Sequence, residues 1–336
     1  MAQKVTLRDV ARHAGVSVTT VSNVVRGWPY IAEGTRLKVE QAIEELGYVP
    51  HPIAKWLRRG YTQTIGFIVP DVTSPHFAAL IDTVENIARE HGYNVLVVNT
   101  HENEMREEEG ARLLTNGLGD GILLVQTANA LQNGSLLRNV TIPVVAVDRV
   151  HNTFEGPFCN VDNSAVTRLA MQHLYDLGHR RIAHLAGPAS ALSAQERAES
   201  YRQFVREAGL DYEYLSTNPS QWSSDEGYRA MHQLLDEPVR PTAVFVSNDR
   251  MAIGAIHAAV ERNLRVPEDI SLVGVDDVEL SRHVTPPLTT VRQPLEEMAR
   301  IGIKMLLKLI WGEPLEQPHV SLAPSLIVRE STAPPR

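Results

Sequence analysis

Short hydrogen-bonding side chains are concentrated between residues 17 and 23, and their types suit contacts with a nucleic acid. On a helix whose N-terminus enters a DNA groove, Val18 can contact a thymine methyl group, Thr19 can hydrogen-bond to several bases, and Asn23 can bond adenine twice. Hydroxyl groups can hold the phosphate backbone and fix the register of such a helix without reading bases. The hydroxyl groups suited to this are those of Ser17, Thr20 and Ser22. The segment is therefore a candidate for reading DNA.

The flanking sequence predicts the helices that would position this segment. A first helix is predicted behind Thr6, which can cap it together with Asp9. Gly15 ends that helix, a second is predicted from Val18 to about Val25, and a third from about Glu33 to Leu46. The side chains predicted to face inward are Leu7, Val10, Ala11, Ala14, Val21, Val24, Val25, Leu37, Ala42, Ile43 and Leu46. Two helices joined by a tight turn form a helix-turn-helix, although the spacing also fits a plain three-helix bundle with no role in DNA binding.

The distribution of charge favours the first of these interpretations. The chain of 336 residues has a net charge of −8, which by itself argues against a nucleic-acid partner. Residues 1–60, however, contain nine Lys or Arg and five Asp or Glu, so this segment carries +4 and the remainder −12. A basic segment on an acidic body is the pattern expected when only the first part of the chain approaches DNA.

A short basic segment, residues 53–60, stands between helix-breaking residues and is predicted to be a hinge helix. Leu57 is flanked there by Lys55, with small Ala54 one turn earlier. An apolar side chain on a helix in the minor groove can insert between base pairs and kink the duplex. The alternative is an ordinary amphipathic linker helix.

From Ile65 onward, short apolar runs alternate with helical stretches, which is typical of parallel strands covered on both faces. The runs predicted as strands are 65–69, 94–98, 121–125, 144–147, 181–185, 243–246 and 271–275. Because the series restarts near residue 181, we expect two doubly wound lobes with a ligand cleft between them, at the carboxyl ends of the strands. The fold class is therefore an all-α helix-turn-helix headpiece followed by an α/β core.

Two other classes of protein share parts of this pattern. An enzyme on a nucleotide-binding fold is disfavoured because no Gly-x-Gly-x-x-Gly or phosphate-loop motif follows a predicted strand, and no catalytic residue, metal site or cofactor is predicted. A periplasmic solute-binding protein would share the core, but it would need a secretion signal and would have no use for residues 1–60. No apolar run approaches the roughly 18 residues of a membrane span. Cys159 is the single cysteine, and a cytoplasmic location is expected.

Taken together, these motifs resemble the lactose/purine repressor family over essentially the whole chain. The N-terminal matches are Val5-Thr6-Leu7-Arg8-Asp9-Val10-Ala11, Ala14-Gly15-Val16-Ser17, Thr20-Val21-Ser22, Thr35-Arg36 and Ala42-Ile43-Glu44-Glu45-Leu46-Gly47-Tyr48-Val49-Pro50, with Ala54 and Leu57. Those in the core are Val147-Asp148-Arg149, Val161-Asp162-Asn163, His173-Leu174, Leu177-Gly178-His179-Arg180-Arg181-Ile182-Ala183, Ser247-Asn248-Asp249, Gly274-Val275-Asp276-Asp277 and Pro286-Pro287-Leu288-Thr289-Thr290-Val291. Each motif is modest evidence, but their number and order are specific.

The resemblance implies a homodimeric transcriptional regulator, most simply a repressor, on a pseudo-palindromic DNA operator, with the two Leu57 side chains inserted at its centre. It implies a headpiece at 1–49, a hinge at 50–61 and an effector-binding core at 62–336. The N-lobe would take about 62–161 and 292–322, and the C-lobe about 162–291 and 323–336. The DNA-contacting residues that it implies are Thr6, Ser17, Val18, Thr19, Thr20, Ser22, Asn23, Ala54, Lys55 and Leu57.

The resemblance also implies an effector pocket between the lobes. Its candidate residues are His76, Phe77, Asp148, Arg197, Trp222, Asn248 and Asp276. Carboxylate, amide and guanidinium groups beside a flat aromatic ring suit a carbohydrate or sugar derivative, whose hydroxyls donate and accept and whose C–H face is apolar. Several structural alternatives stay open: an Asp148–Arg149 ion pair, a loop-capping role for Asp276 with Asp277, and surface positions for His76 and Trp222.

Five positions depart from the family pattern. Asn23 stands where relatives often carry Arg or His. His76 stands where many relatives carry an aromatic residue. The pair His51-Pro52 replaces the usual start of the hinge helix, and Trp56 is bulky beside Leu57. The operator bases and the identity of the effector therefore cannot be carried over from the family.

Overall fold

The computed structural model describes residues 5–48, 61–127, 139–151, 153–210, 212–216 and 220–336. The chain divides into two compact units, Met1–Thr62 and Gln63–Arg336. The hinge residues Ala54, Lys55, Trp56 and Leu57 lie outside the described residues.

The described residues of the first unit, 5–48 and 61–62, contain three helices around a small apolar core. They are α1 (Leu7–Ala14), α2 (Val18–Val25) and α3 (Glu33–Leu46). The predicted capping box is present before α1, since the Asp9 carboxylate accepts from the Thr6 backbone N–H at 3.0 Å and from its hydroxyl at 2.6 Å. Gly15 then turns the chain with φ +65°, in the left-handed region that suits glycine. The predicted helix-turn-helix geometry is therefore confirmed.

The prediction that Leu37 of α3 faces inward is wrong. Leu37 is 60% exposed, whereas Val39 is fully buried. The buried face of α3 follows the helical repeat through Val39, Ala42 and Ile43, and a residue two positions before Val39 lies on the opposite side.

The second unit is built from two sheets and their covering helices. Its strands are β1 (Thr64–Val69), β2 (Asn94–Asn99), β3 (Gly121–Leu124), β4 (Val144–Asp148), β5 (Phe158–Val161), β6 (Ile182–Leu185), β7 (Ala243–Val246), β8 (Ser271–Asp276), β9 (Thr289–Arg292), β10 (His319–Leu322) and β11 (Ser325–Ile327). Its α-helices are α4 (Pro75–Glu90), α5 (Glu104–Leu113), α6 (Asn163–Asp176), α7 (Leu192–Glu207), α8 (Ser224–Leu235), α9 (Asp249–Glu261) and α10 (Leu295–Ile310). All seven apolar runs predicted as strands form strands.

The strands form two lobes with parallel pairing. The first sheet has the order β10-β5-β4-β3-β1-β2 and is parallel throughout. The second has the order β11-β9-β8-β7-β6, and β11 alone pairs antiparallel. We call the layer around the first sheet the N-lobe and the layer around the second sheet the C-lobe. The predicted pair of doubly wound lobes is confirmed.

Three segments of chain connect the lobes side by side. They follow β5, β9 and β10, and the Asp162 N–H donates to the Leu322 carbonyl at 3.0 Å, joining two of them. Because the strands of both sheets end toward these segments, their carboxyl ends face one shared cleft. No helix in the described part of the chain is both long enough and apolar enough to cross a membrane.

Candidate functional site

A cavity of about 440 Å³ lies between the two lobes at the carboxyl ends of the strands. A volume of this size is typical of small-ligand sites. All seven predicted pocket residues line it: His76, Phe77, Asp148, Arg197, Trp222, Asn248 and Asp276. The structure thus brings together in space residues separated by up to 200 positions in the chain.

The floor of the cleft is an imidazole held between two carboxylates. His76, near the N-terminus of α4, places Nε2 2.8 Å from Asp148 Oδ1 and Nδ1 3.5 Å from Asp276 Oδ1. Asp148 ends β4 in the N-lobe, and Asp276 ends β8 in the C-lobe. Burial lowers the pKa of His76, but the charges of Asp276 and Asp148 outweigh burial and leave the pKa raised above its ordinary value. His76 is 6% exposed, so the alternative of a surface position is wrong.

A second aspartate of the C-lobe, Asp249, lies close to Asp276 behind the lining of the cleft. Asp249 is fully buried, and it accepts from the Thr290 hydroxyl at 2.6 Å and from the Val278 N–H at 3.0 Å. Burial and the nearby Asp276 raise the pKa of Asp249 well above its ordinary value. Burial also raises the pKa of Asp276, but His76 and Arg197 oppose that rise. Of the two aspartates, Asp276 lines the cleft and presents its side chain to a ligand, whereas Asp249 is not part of the lining.

Arg197 is a buried guanidinium on α7 with fixed partners. Its Nε donates to Asn163 Oδ1 at 2.9 Å, and one terminal nitrogen donates to the Ser247 carbonyl at 2.6 Å. Burial lowers the pKa of Arg197, and the charges of Asp276 and Asp148 counteract that lowering. The guanidinium is thus held by hydrogen bonds at one end while its charge balances the floor of the cleft.

The side-chain carbonyl oxygen of Asn248 is already hydrogen-bonded within the protein. Asn248 is the N-cap of α9, and its Oδ1 accepts from the Met251 N–H at 2.8 Å. Because the carbonyl oxygen is used in this way, Nδ2 is the group that it can offer a ligand as a donor.

Aromatic rings form the walls. The Arg149 guanidinium lies 5.0 Å from the ring centre of Phe77 and 5.5 Å from that of Trp222, while its NH1 donates to Glu102 at 2.6 Å. Arg149 therefore pairs with Glu102, which disfavours the predicted alternative of an Asp148–Arg149 pair. The Trp222 ring lies directly over Gly187, where a Cβ would come within 2.2 Å of the indole.

The mouth of the cleft carries a direct link between the lobes. Arg250 NH1 of α9 lies 3.3 Å from the carboxylate of Asp71, which follows β1. Asp71 is oriented by hydrogen bonds from the Thr73 N–H at 2.9 Å and hydroxyl at 2.7 Å. Asp277, next to the floor, has a different role: its carboxylate is bound by Arg292 at 2.7 Å and by Arg329. The suggestion that Asp276 and Asp277 form one loop-capping pair is thus wrong, because the two side chains have different partners.

The residues predicted to read DNA cluster on one helix of the first unit. Val18 is 42% exposed, and the side chain of Thr19 is also exposed, whereas Asn23 is half-buried. Ser17 Oγ caps α2 by accepting from the Thr20 N–H at 3.0 Å and lies 2.8 Å from the Thr20 hydroxyl. The two hydroxyls share one hydrogen bond, which leaves one hydroxyl proton available to a phosphate. Thr6 is exposed at the start of α1, and Ser22 is half-buried on α2.

Some cleft residues were not singled out from the sequence. Gln293 donates to Asp276 Oδ1 at 2.7 Å, Asn163 anchors Arg197, and Asp71 with Arg250 closes the mouth. Asn163 lies within the motif Val161-Asp162-Asn163, and Arg250 directly follows the motif Ser247-Asn248-Asp249. Their positions in the sequence therefore could have identified them as cleft residues. Among the described residues, no group of His, Cys, Asp and Glu has the arrangement of a metal site.

Comparison with known proteins supports both units. Residues 6–51 match the family described as bacterial regulatory proteins, lacI family, and residues 171–332 match the periplasmic binding protein-like domain. The ribose operon repressor of Escherichia coli (strain K12) is 38% identical over 97% of this chain and 99% of its own length. The lac repressor dimer bound to operator and the anti-inducer ONPF has a TM-score of 0.84 at 31% identity, covering 98% of this chain and 100% of that one. A complex of the transcriptional regulator CelR with cellobiose has a TM-score of 0.73 at 32% identity, covering 97% and 99%.

Proposed function

This chain belongs to the lacI family of bacterial regulatory proteins, and on that premise we propose that it is a transcriptional repressor whose affinity for an operator is controlled by a sugar. The headpiece, residues 1–49, binds the operator, and the hinge, residues 50–61, connects it to the core, residues 62–336. The sugar binds in the cleft between the lobes.

The observation that carries this proposal is the convergence of polar groups from both lobes on one partly aromatic cavity. Asp148 comes from the N-lobe, while Asp276, Arg197 and Asn248 come from the C-lobe. Their carboxylate, guanidinium and amide groups can bind ring oxygens and hydroxyls, which donate and accept at the same time. Trp222 supplies a flat surface for the C–H face of a sugar ring. The ribose operon repressor and the cellobiose complex of CelR support a sugar as the ligand class.

Control of DNA binding follows from the position of the cleft. A ligand that contacts both lobes favours one lobe arrangement in proportion to its differential affinity for the two arrangements. That arrangement determines how two hinges of a dimer are spaced on the operator, and we propose that the sugar releases the repressor. In this account Val18, Thr19 and Asn23 read bases, and Leu57 inserts into the minor groove at the centre of the site.

A second copy of the chain is the proposed partner in solution. Strand β2 is an edge strand of the N-lobe sheet, yet Leu96 is 40% exposed, Val97 37% and the neighbouring Leu113 of α5 56%. Exposed apolar residues on an unpaired edge are a surface that another chain can cover. Sedimentation should give a dimer, and Leu96→Lys should shift it toward monomer, whereas Val239→Lys, which changes a 53% exposed side chain of the C-lobe, should not.

The function is tested by measuring operator binding and sugar binding on the same protein. The operator is first selected from random DNA, and binding is then followed by fluorescence anisotropy with and without D-ribose, D-glucose, D-galactose or cellobiose. We expect one of these sugars to raise the melting temperature of the protein and to lower its operator affinity. Asp276→Asn should lose the sugar response and keep DNA binding, whereas Asp82→Asn, on the exposed face of α4, should keep both. Selection that yields no two-fold symmetric site, or stabilisation only by purines or amino acids, would contradict the proposal.

A further inference from the structure

The imidazole of His76 joins the two lobes in a way that a purely aromatic side chain cannot. Its two ring nitrogens face carboxylates of different lobes, at 2.8 Å to Asp148 and 3.5 Å to Asp276. The ring also packs against Phe77 in a T-shaped arrangement with centroids 5.2 Å apart, and the guanidinium of Arg149 lies 5.0 Å from the centre of the Phe77 ring. Burial and Arg149 oppose a charge on the ring, and the two carboxylates favour it more strongly, so the pKa of His76 lies above its ordinary value. Since a carboxylate can only accept, a proton on each of the two ring nitrogens suits this geometry, and we therefore count the ring as an imidazolium.

With His76 charged, the floor of the cleft is electrically balanced. Its two cations are His76 and Arg197, and the two carboxylates that line the cleft beside them are Asp148 and Asp276. Asp249 lies behind this lining, where its oxygens accept from the Thr290 hydroxyl and the Val278 N–H. A buried charge without a partner is expensive, so each of these four groups depends on the others.

The charged residues nearer the mouth are balanced as well. Arg250 pairs with Asp71 at 3.3 Å, and Arg149 pairs with Glu102 at 2.6 Å. The remaining ionisable residue of the described lining, His101, has Nε2 within 3.3 Å of the Asn99 amide nitrogen, which can only donate, so this ring nitrogen accepts there and offers a ligand no proton. In the described lining, therefore, no cation is left over to neutralise a phosphate or carboxylate group of a ligand.

We infer that His76 determines the charge of the ligand, and that the cleft accepts an uncharged, hydroxyl-rich molecule and rejects its phosphorylated or carboxylated derivatives. This inference rests on the proposed function and narrows its ligand class. An uncharged ligand can exchange hydroxyl donors with Asp148 and Asp276 without disturbing the balance, whereas an anion must displace one of these carboxylates from its cations. Without the imidazolium, the floor has one excess negative charge and should favour a cationic ligand instead.

The test uses full-length protein and sets of probes that share one scaffold and differ in a single charged group. The sets are D-ribose with D-ribose 5-phosphate; D-glucose with D-glucuronate and D-glucosamine; D-galactose with D-galacturonate and D-galactosamine; and adenosine with its 5′-monophosphate. Affinities are measured by calorimetry for the wild type, His76→Gln and His76→Phe. The matched control is His91→Gln, at the exposed C-terminal end of the same helix.

We expect the neutral member of the binding set to be preferred over its anionic derivative at least about tenfold in the wild type. In both His76 variants, the affinity for the amino sugar relative to the neutral sugar should rise about tenfold or more. A charge at this range shifts the pKa of a neighbouring group by about 1–3, which corresponds to a tenfold or larger change in an equilibrium constant. His91→Gln should leave that ratio unchanged. An anionic probe that binds the wild type as tightly as its neutral counterpart would overturn the inference, as would His76 variants with an unchanged ratio.

A second readout separates this inference from the proposed function. Nitrogen NMR of the histidine side chains should show both nitrogens of His76 protonated at pH 7, with the signal assigned by its loss in His76→Gln. A neutral ring at pH 7 would overturn the inference even if a sugar proves to be the effector. If instead adenosine binds and its 5′-monophosphate does not, the sugar proposal is refuted, whereas the inference that the cleft rejects anionic ligands stands. If no probe binds, the sugar proposal fails, and the nitrogen signals decide the inference.

Discussion

Replacing Arg197 with methionine should destabilise the core and abolish the ligand response while leaving the headpiece able to bind DNA. The guanidinium is 4% exposed, and it donates to the Asn163 side chain and the Ser247 carbonyl. Methionine fills a similar volume, but it leaves both acceptors without this donor and the carboxylates of Asp148 and Asp276 with His76 as their remaining cation. The expected loss is about 3–5 kcal/mol of unfolding free energy, the range found when one partner of a buried ionic cluster is removed. For a unit of this size that corresponds to roughly 10 °C in melting temperature.

The loss should depend on pH in a defined direction. Arg197 lowers the pKa values of both Asp148 and Asp276 in the folded protein, so its removal raises them. A carboxyl whose pKa is higher in the folded chain than in the unfolded chain costs stability as the pH rises through the folded value. The difference between wild type and Arg197→Met should therefore be smallest in acid, where both carboxyl groups are protonated, and should increase as the pH rises toward neutral.

Urea unfolding at a series of acidic to neutral pH values measures this difference, and calorimetry with the effector sugar measures the ligand response. Arg202→Met is the matched control, because Arg202 lies on the same helix but is 40% exposed and pairs with Glu199 at 3.7 Å. A surface pair of this kind contributes about 0–1 kcal/mol. The reasoning is refuted if Arg197→Met and Arg202→Met have the same stability, or if the deficit of Arg197→Met does not change with pH.

Three further predictions concern the elements that support the two sites. Gly254→Ala should cost about 3 kcal/mol, because a Cβ there would lie 1.9 Å from the Ser224 carbonyl oxygen, whereas Gly34→Ala, with no atom within 4 Å, should be neutral or stabilising in the same urea titration. Thr6→Ala should lose about 1 kcal/mol of local stability, visible as faster amide exchange in α1 and not elsewhere. Burial lowers the pKa of His184 to about 3. The unfolded chain therefore binds one more proton below about pH 6.5, and His184→Gln should reduce the loss of stability on acidification by up to about 1.4 kcal/mol per pH unit.

The sequence predicted the parts of the fold that depend on local pattern. Strand β8, for example, is a continuous apolar run bounded by residues that disfavour strands. Such runs can be recognised in a sequence because both faces of a parallel strand are buried, so that consecutive side chains are apolar. Strands β5, β9, β10 and β11 were missed because they have three or four residues and mix polar with apolar side chains. Leu37 was placed inward because a helix of fourteen residues offers several apolar sets, and the tertiary neighbours select one of them.

The site was harder to predict from local sequence patterns than the fold, because its residues are far apart in the chain. No spacing rule brings His76, Asp148 and Asp276 together; resemblance to a family placed them in one pocket, and the topology explains why, since all three lie at strand ends or the helix start beside them. The family pattern could not show that His76 bridges the lobes, because relatives often carry an aromatic residue at that position. The Asp71–Arg250 link was also hidden, since a pair 179 residues apart leaves no local signal.

The two carboxylates of the floor are held on unusual backbone, and this yields a last prediction. Asp148 has φ +65° and Asp276 φ +119°, in the region that non-glycine residues seldom adopt. Asp148→Ala and Asp148→Gly both remove the partner of His76, but only alanine keeps a Cβ that is strained in this conformation. The strain of about 1–2 kcal/mol exceeds the entropy that glycine gains in the unfolded chain, about 0.4–1 kcal/mol. The glycine variant should thus unfold at higher urea than the alanine variant, with both below Asp148→Asn. Equal midpoints for alanine and glycine would show that the backbone at Asp148 is not strained, and that its geometry costs the fold nothing.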